Sequence, residues 1–125
     1  MKILLVEDNV LNQKVVTFHL RKRHYDVVAT ASGYEAIKIV KREPVDLILM
    51  DIMLPEMNGF EITKEIREYE NQINKKNKVP IIALTANTLD NDKEKCLQAG
   101  MDDYLPKPFT AQDLYRVMEA FTRME

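Results

Sequence analysis

Short apolar runs alternate with longer amphipathic stretches along this chain, and four of the runs stop at a polar residue. Ile3-Leu4-Leu5-Val6 meets Glu7-Asp8, Leu47-Ile48-Leu49-Met50 meets Asp51, Ile81-Ile82-Ala83-Leu84 meets Thr85, and Tyr104-Leu105 meets Pro106-Lys107-Pro108. Continuous apolar runs of this length suit strands that are covered on both faces. Strict alternation with helical stretches implies a parallel sheet with helices on both sides. In such a sheet the four polar ends share one edge. That edge carries three carboxylates, a hydroxyl and an ammonium, a set able to hold a divalent cation and a phosphoryl group together.

The pattern predicts five strands and five helices. The strands are expected at Lys2 to Val6, Val27 to Ala29, Leu47 to Met50, Pro80 to Leu84 and Asp103 to Leu105. The helices are expected from about Val10 to Lys22, Tyr34 to Arg42, Phe60 to Tyr69, Leu89 to Gln98, and from Thr110 to Arg123. Asn9 can cap the first helix, and Leu11, Val15, Phe18 and His19 form its expected apolar stripe. Pro44 ends the second helix. Gly100 suits a left-handed cap after the fourth, and Thr110 with Asp113 resembles a capping box. The polar, basic segment from Asn71 to Lys78 is expected to be a mobile surface loop. Right-handed crossovers favour a doubly wound sheet. Five strands suit the order 2-1-3-4-5, which places the ligand crevice between strands one and three. Those strands end in Glu7-Asp8 and in Asp51.

Bulk properties narrow the function. The 125 residues suit one compact domain, read here as residues 1–125. A formal charge of −2 offers no electrostatic argument for a nucleic-acid or membrane partner. No apolar stretch approaches the roughly 20 residues that span a bilayer. The single Cys96 excludes an internal disulfide and a multi-cysteine metal site. A cytoplasmic location is the expectation.

Crowded carboxylates repel one another and raise one another's pKa, and a hard cation removes that penalty. Mg2+ takes few protein oxygens and keeps several waters. Two of the carboxylates, with the backbone carbonyl of Met53, would suffice. A phosphoryl group is then the natural next ligand, with Lys107 pairing one oxygen and Thr85 another. A carboxylate can serve as the nucleophile in phosphoryl transfer. Asp51, at the central strand end, is the candidate.

These residues resemble a known family. Leu5-Val6-Glu7-Asp8-Asn9, Leu49-Met50-Asp51, Leu54-Pro55-Glu56-Met57-Asn58-Gly59, Leu84-Thr85-Ala86 and Lys107-Pro108 are similar, in order and spacing, to a response-regulator receiver domain of two-component signalling. The resemblance covers essentially the whole chain and implies a flavodoxin-like doubly wound fold of order 2-1-3-4-5. It implies that Asp51 is the phosphoacceptor. It implies that Glu7, Asp8, Asp51 and the Met53 carbonyl bind Mg2+, and that Thr85 and Lys107 contact the phosphoryl group. It implies a cis Lys107-Pro108 bond and a switch in which Thr85 and Tyr104 move together. The surface of helix four, strand five and helix five would change, as a population shift between two arrangements. Asn12-Gln13, the run from Ile82 to Asn87 and the run from Ala99 to Leu105 look like receivers attached to hybrid sensor kinases. That subgroup implies a histidine kinase or a histidine phosphotransfer domain as partner, and a possible downstream effector. Asn58 and Leu54 depart from the common family residues without touching the proposed chemistry.

The leading reading is a phosphoacceptor that catalyses only its own phosphorylation and dephosphorylation, not a turnover enzyme. Two rivals are a receiver used purely for docking, without phosphorylation, and an aspartyl-nucleophile phosphatase. One family of such phosphatases wants an aspartate two residues after the nucleophile as general acid, and here that position is Met53. Met53 and Asn87 would flank the entry path for attacking water. An apolar Met53 cannot orient water, so slow self-hydrolysis is expected. His19 and His24 read as structural, and Cys96 as a small core residue.

Overall fold

The structure, a computed structural model, describes residues 1–54, 56–85 and 90–122. The elements are β1 (Lys2–Val6), α1 (Val10–Lys22), β2 (Asp26–Thr30), α2 (Gly33–Arg42), β3 (Leu47–Asp51), α3 (Gly59–Gln72), β4 (Ile81–Thr85), α4 (Asp90–Ala99), β5 (Asp103–Pro106) and α5 (Ala111–Thr122). All strand pairs are parallel, in the order β2-β1-β3-β4-β5. The expected doubly wound sheet and its strand order are borne out.

The alternation of side chains along each strand divides the core into two layers. Leu4 and Val6 of β1, Ile48 and Met50 of β3, and Ile81 and Ala83 of β4 face one way. They pack against Ala36 and Ile39 of α2, Ile62 and Ile66 of α3, and Cys96 of α4. Ile3, Leu5, Leu47, Leu49, Ile82 and Leu84 face the other way, against Val16 and Leu20 of α1 and Leu114 and Met118 of α5. Each fully buried aliphatic side chain adds about 1.5–3 kcal/mol by leaving water. The central strands are therefore apolar from Ile3 to Val6, Leu47 to Met50 and Ile81 to Leu84, as both layers demand, and turn polar only at their ends.

Polar caps set the helix starts. Asn9 Oδ1 accepts from Asn12 N–H at 2.9 Å, and Ser32 Oγ from Glu35 N–H at 3.3 Å. Asn58 and Glu61 form a reciprocal capping box on α3, and Thr110 and Asp113 form one on α5. Gly100 has a φ of 103° and ends α4, as its position predicted. The expected start of α4 at Leu89 and end of α5 at Arg123 lie outside the described residues.

Two expectations are corrected. The stripe of Leu11, Val15 and Phe18 does not enter the core. These residues are 69%, 47% and 61% exposed, whereas Val16 and Leu20 are buried. At about 100° per residue the two sets lie on opposite faces of α1. Both are apolar, so periodicity alone cannot choose between them. Secondly, α3 continues past Tyr69 to Gln72, which shortens the basic loop.

An ionic hub joins α3 to the far side of the sheet. Arg67 donates to Gly100 O at 2.9 Å, to Val79 O and Glu70 Oε1 at 2.8 Å, and to Asp102 Oδ2 at 2.9 Å. Glu70, 1% exposed, also accepts from Val79 N–H, and Asp102 accepts from Ile81 N–H. A buried carboxylate needs such partners.

Candidate functional site

The parallel sheet delivers the polar strand ends to one edge. Glu7 follows β1, and its N–H donates to Thr30 O of β2 at 3.0 Å. Asp51 is the last residue of β3, and Thr85 the last of β4. Lys107 follows β5, and its N–H donates to Thr85 O at 2.6 Å. The Lys107-Pro108 peptide bond is cis.

One carboxylate oxygen from each of Glu7, Asp8 and Asp51 lies within 4.8 Å of the other two. Glu7 and Asp51 are 1% and 4% exposed, while Asp8 faces solvent. Lys107 Nζ sits 2.9 Å from Glu7 Oε2 and 3.4 Å from Asp51 Oδ2. The remaining oxygens of these two acids are also engaged. Glu7 Oε1 accepts from Asn9 N–H at 3.3 Å, and Asp51 Oδ1 from Met53 N–H at 3.0 Å.

One ammonium does not balance three acids. Burial raises the Asp51 pKa from 3.8 to about 6, and the neighbouring Glu7 charge adds to the rise. The Met53 N–H and Lys107 oppose it without cancelling it. For Lys107, burial favours the neutral amine. Its hydrogen bond to Glu7 and the charges of Asp51 and Glu7 outweigh that, so its pKa is raised and the ammonium is held. The site thus carries excess negative charge in a partly dehydrated crevice, which a bound cation would relieve. The three acids are hard oxygen donors and fit a small hard cation such as Mg2+.

Of the predicted residues, Glu7, Asp8, Asp51 and Lys107 meet in one cluster. Lys107 contacts Glu7 more closely than Asp51, an unequal sharing that strand order does not reveal. Thr85 is 3% exposed at the adjoining strand end. Tyr104 stands beside Ala83 in the register of β4 and β5, half-buried against the α2–α3–α4 layer. The Met53 backbone touches Asp51, while its side chain is 74% exposed. Pro55, Ala86 and Asn87 lie outside the described residues.

Three features escaped the sequence argument about chemistry. Gly59 starts α3 against the site, and a Cβ there would lie 2.9 Å from both Asp51 O and Ile52 Cα. Gln13 Nε2 donates to Glu7 O at 2.7 Å. Val10, Leu11, Val15 and Phe18 expose an apolar row on α1, whose helical spacing alone reads as a core-facing stripe. Val15 also lines a cleft of about 400 Å³ with Glu7, Asn12, Lys107, Pro108 and Phe109, so the row runs into the site.

The response regulator receiver domain model matches residues 3–119. The sensor protein GacS of Pseudomonas syringae pv. syringae is 40% identical over 121 residues, covering 97% of this chain and 13% of that protein. The chain spans only 6% to 13% of the length of the histidine kinases from Arabidopsis thaliana, Dictyostelium discoideum and Pseudomonas syringae that it matches. Among solved structures, the receiver domain of sensor histidine kinase PA1611 from Pseudomonas aeruginosa PAO1 is 48% identical, with a TM-score of 0.85 over 96% of this chain and 95% of that one. That structure holds a magnesium ion coordinated in its active site cleft. A chain of the Saccharomyces cerevisiae co-crystal of the histidine phosphotransfer protein Ypd1 with the receiver domain of Ssk1 is 36% identical, with a TM-score of 0.95 over 99% of this chain and 90% of that one. A family model spanning nearly the whole chain, together with close likeness in sequence and fold to known receivers, establishes that this chain belongs to the response regulator receiver domain family.

Proposed function

We propose that this chain is a phosphoacceptor in a two-component or phosphorelay pathway, with Asp51 receiving the phosphoryl group. The observation that carries the reading is the convergence of Glu7, Asp8 and Asp51 within 4.8 Å, with the Lys107 ammonium between two of them. On this reading the chain works as a signalling module, and the catalysis proposed is only of its own phosphorylation and dephosphorylation.

Glu7, Asp8, Asp51 and the Met53 carbonyl would hold Mg2+. When bound, the ion neutralises the acids and draws charge from the phosphoryl oxygens. The chain's own residues do the rest. Met53 N–H fixes one Asp51 oxygen and leaves the other toward Lys107. An Asp51 oxygen attacks phosphorus of a partner's phosphohistidine. The new O–P bond forms as the P–N bond breaks, and the electron pair leaves with the imidazole, which takes up a proton. Lys107 then exchanges part of its contact with the acids for a phosphoryl oxygen. Thr85 closes on another, and Tyr104 follows into the vacated space, which alters the face of α4, β5 and α5. Positioning and charge neutralisation are most of what phosphoryl transfer requires.

The partner is a histidine kinase or a histidine phosphotransfer domain. The apolar row of Val10, Leu11, Val15 and Phe18 adjoins the cleft beside Lys107 and suits a helical partner's apolar face. A cytoplasmic location belongs to the same proposal, because the phosphoryl group of such a relay originates from a nucleotide. Residues 1–125 are read as one domain, and no helix among the described residues is long and apolar enough to cross a membrane.

One assay tests the reading. The protein is incubated with Mg2+ and a small acyl-phosphate donor and weighed intact. Addition of one phosphoryl group, abolished in Asp51→Asn, is expected. Repeated phosphate release would indicate a phosphatase, and no addition would leave a docking module.

A further inference from the structure

We propose that Gln13 is a positioning residue for the metal site and that it acts by aiming Asp8. This rests on the reading of Glu7, Asp8 and Asp51 as a Mg2+ site.

The three acids are not held alike. Glu7 is gripped by Asn9 N–H at 3.3 Å and Lys107 at 2.9 Å. Asp51 is gripped by Met53 N–H at 3.0 Å and Lys107 at 3.4 Å. Among the described residues, no hydrogen bond or ion pair reaches the Asp8 carboxylate, which is exposed. Its place in the cluster therefore depends on its backbone. That backbone is the turn Glu7-Asp8-Asn9, between the end of β1 and the start of α1.

Gln13 holds both ends of this turn. Its main-chain N–H donates to Asn9 O at 2.9 Å. Its side-chain Nε2 donates to Glu7 O at 2.7 Å. The second bond fixes the plane of the Glu7–Asp8 peptide, because the carbonyl oxygen sets the orientation of the whole rigid unit. The direction in which the chain enters Asp8 is then fixed as well. Helix geometry makes the reach natural, since side chains in a first turn lean toward the helix N-terminus. The chemistry is also specific. The target is a carbonyl, so the residue must donate, and it must do so without placing a positive charge beside the cation. A glutamine amide meets both requirements. A methionine has the length but no donor, and an asparagine has the donor but is one methylene short.

The test is Mg2+ titration by calorimetry on the wild type, Gln13→Met, Gln13→Asn and the neighbouring control Lys14→Met. Both Gln13 variants should bind Mg2+ about 3- to 10-fold more weakly, the span expected for one lost neutral hydrogen bond. Lys14→Met should match the wild type. Phosphorylation by a small acyl phosphate should need correspondingly more Mg2+ for half-maximal rate, with the maximal rate retained at saturation. A merely structural role would lower the melting temperature and leave that split unmoved. Mg2+ affinity within twofold of wild type in a folded Gln13 variant overturns the inference, as does a maximal rate that excess Mg2+ does not restore. Should Gln13→Met not fold, Gln13→Asn decides on the same readouts. A wild type that takes up no Mg2+ would instead remove the underlying metal site, so the two failures are distinct.

Discussion

Asp51→Asn should make the metal-free protein more stable near pH 8, although it removes the residue on which the function depends. In the native state the Asp51 pKa rises from 3.8 to about 6. Each unit corresponds to about 1.4 kcal/mol of preference for the neutral form. The difference amounts to about 3 kcal/mol before solvent screening at the mouth of the crevice reduces it. The sign follows from proton linkage. A carboxyl with a native pKa above its unfolded value favours folding fully below about pH 4, and that contribution is lost as pH rises through about 6. The wild type therefore carries the penalty of a buried, repelled carboxylate at pH 8. Asparagine keeps an acceptor for Met53 N–H and carries no charge. Lys107 retains Glu7 at 2.9 Å as its partner. Urea unfolding in a chelator should show the variant more stable by about 1–3 kcal/mol at pH 8, with the advantage shrinking between about pH 6 and pH 4. Excess Mg2+ should narrow the gap at pH 8 by stabilising the wild type more. A variant less stable than wild type at pH 8, or an advantage that ignores pH, would refute the charge argument.

Other outcomes follow from single contacts. Gly59→Ala should lose about 1–3 kcal/mol in urea unfolding, because its Cβ would press on the main chain of Asp51 and Ile52, which cannot yield as a flexible side chain does. Arg67→Met should lose up to about 3 kcal/mol in urea unfolding, because the buried Glu70 keeps only Val79 N–H and a Lys75 ammonium 4.0 Å away, and the carbonyls of Val79 and Gly100 lose their donor. Leu11→Glu and Phe18→Glu should change stability by under about 0.5 kcal/mol, since both side chains are exposed. They should slow phosphotransfer from a histidine phosphotransfer protein while sparing phosphorylation by a small donor; equal rates with the protein donor would remove α1 as the docking face. The phosphorylated form should persist for many minutes, since an apolar Met53 cannot orient water, and decay within seconds in intact-mass time courses would contradict this.

The fold was legible because its signals are local. Apolar runs such as Leu47 to Met50 state their own burial, Asn9, Thr110 and Gly100 mark helix ends through their own chemistry, and alternation with chirality leaves few topologies. The acids at the strand ends were legible for the same reason, since a parallel sheet must bring Glu7, Asp8 and Asp51 to one edge. Other properties depend on residues distant in the chain, and only the tertiary structure decided them. Both stripes of α1 are apolar, and packing against the sheet and α5 selects Val16 and Leu20 for burial. The division of Lys107 between Glu7 and Asp51 spans 100 and 56 residues of sequence. The Asp51 pKa reflects dehydration by the surrounding fold, and the need for glycine at position 59 arises where α3 meets the main chain of β3. Periodicity encodes which residues are apolar and in what rhythm; it does not encode which of two apolar faces meets a neighbour, nor how far a charge ends up from water.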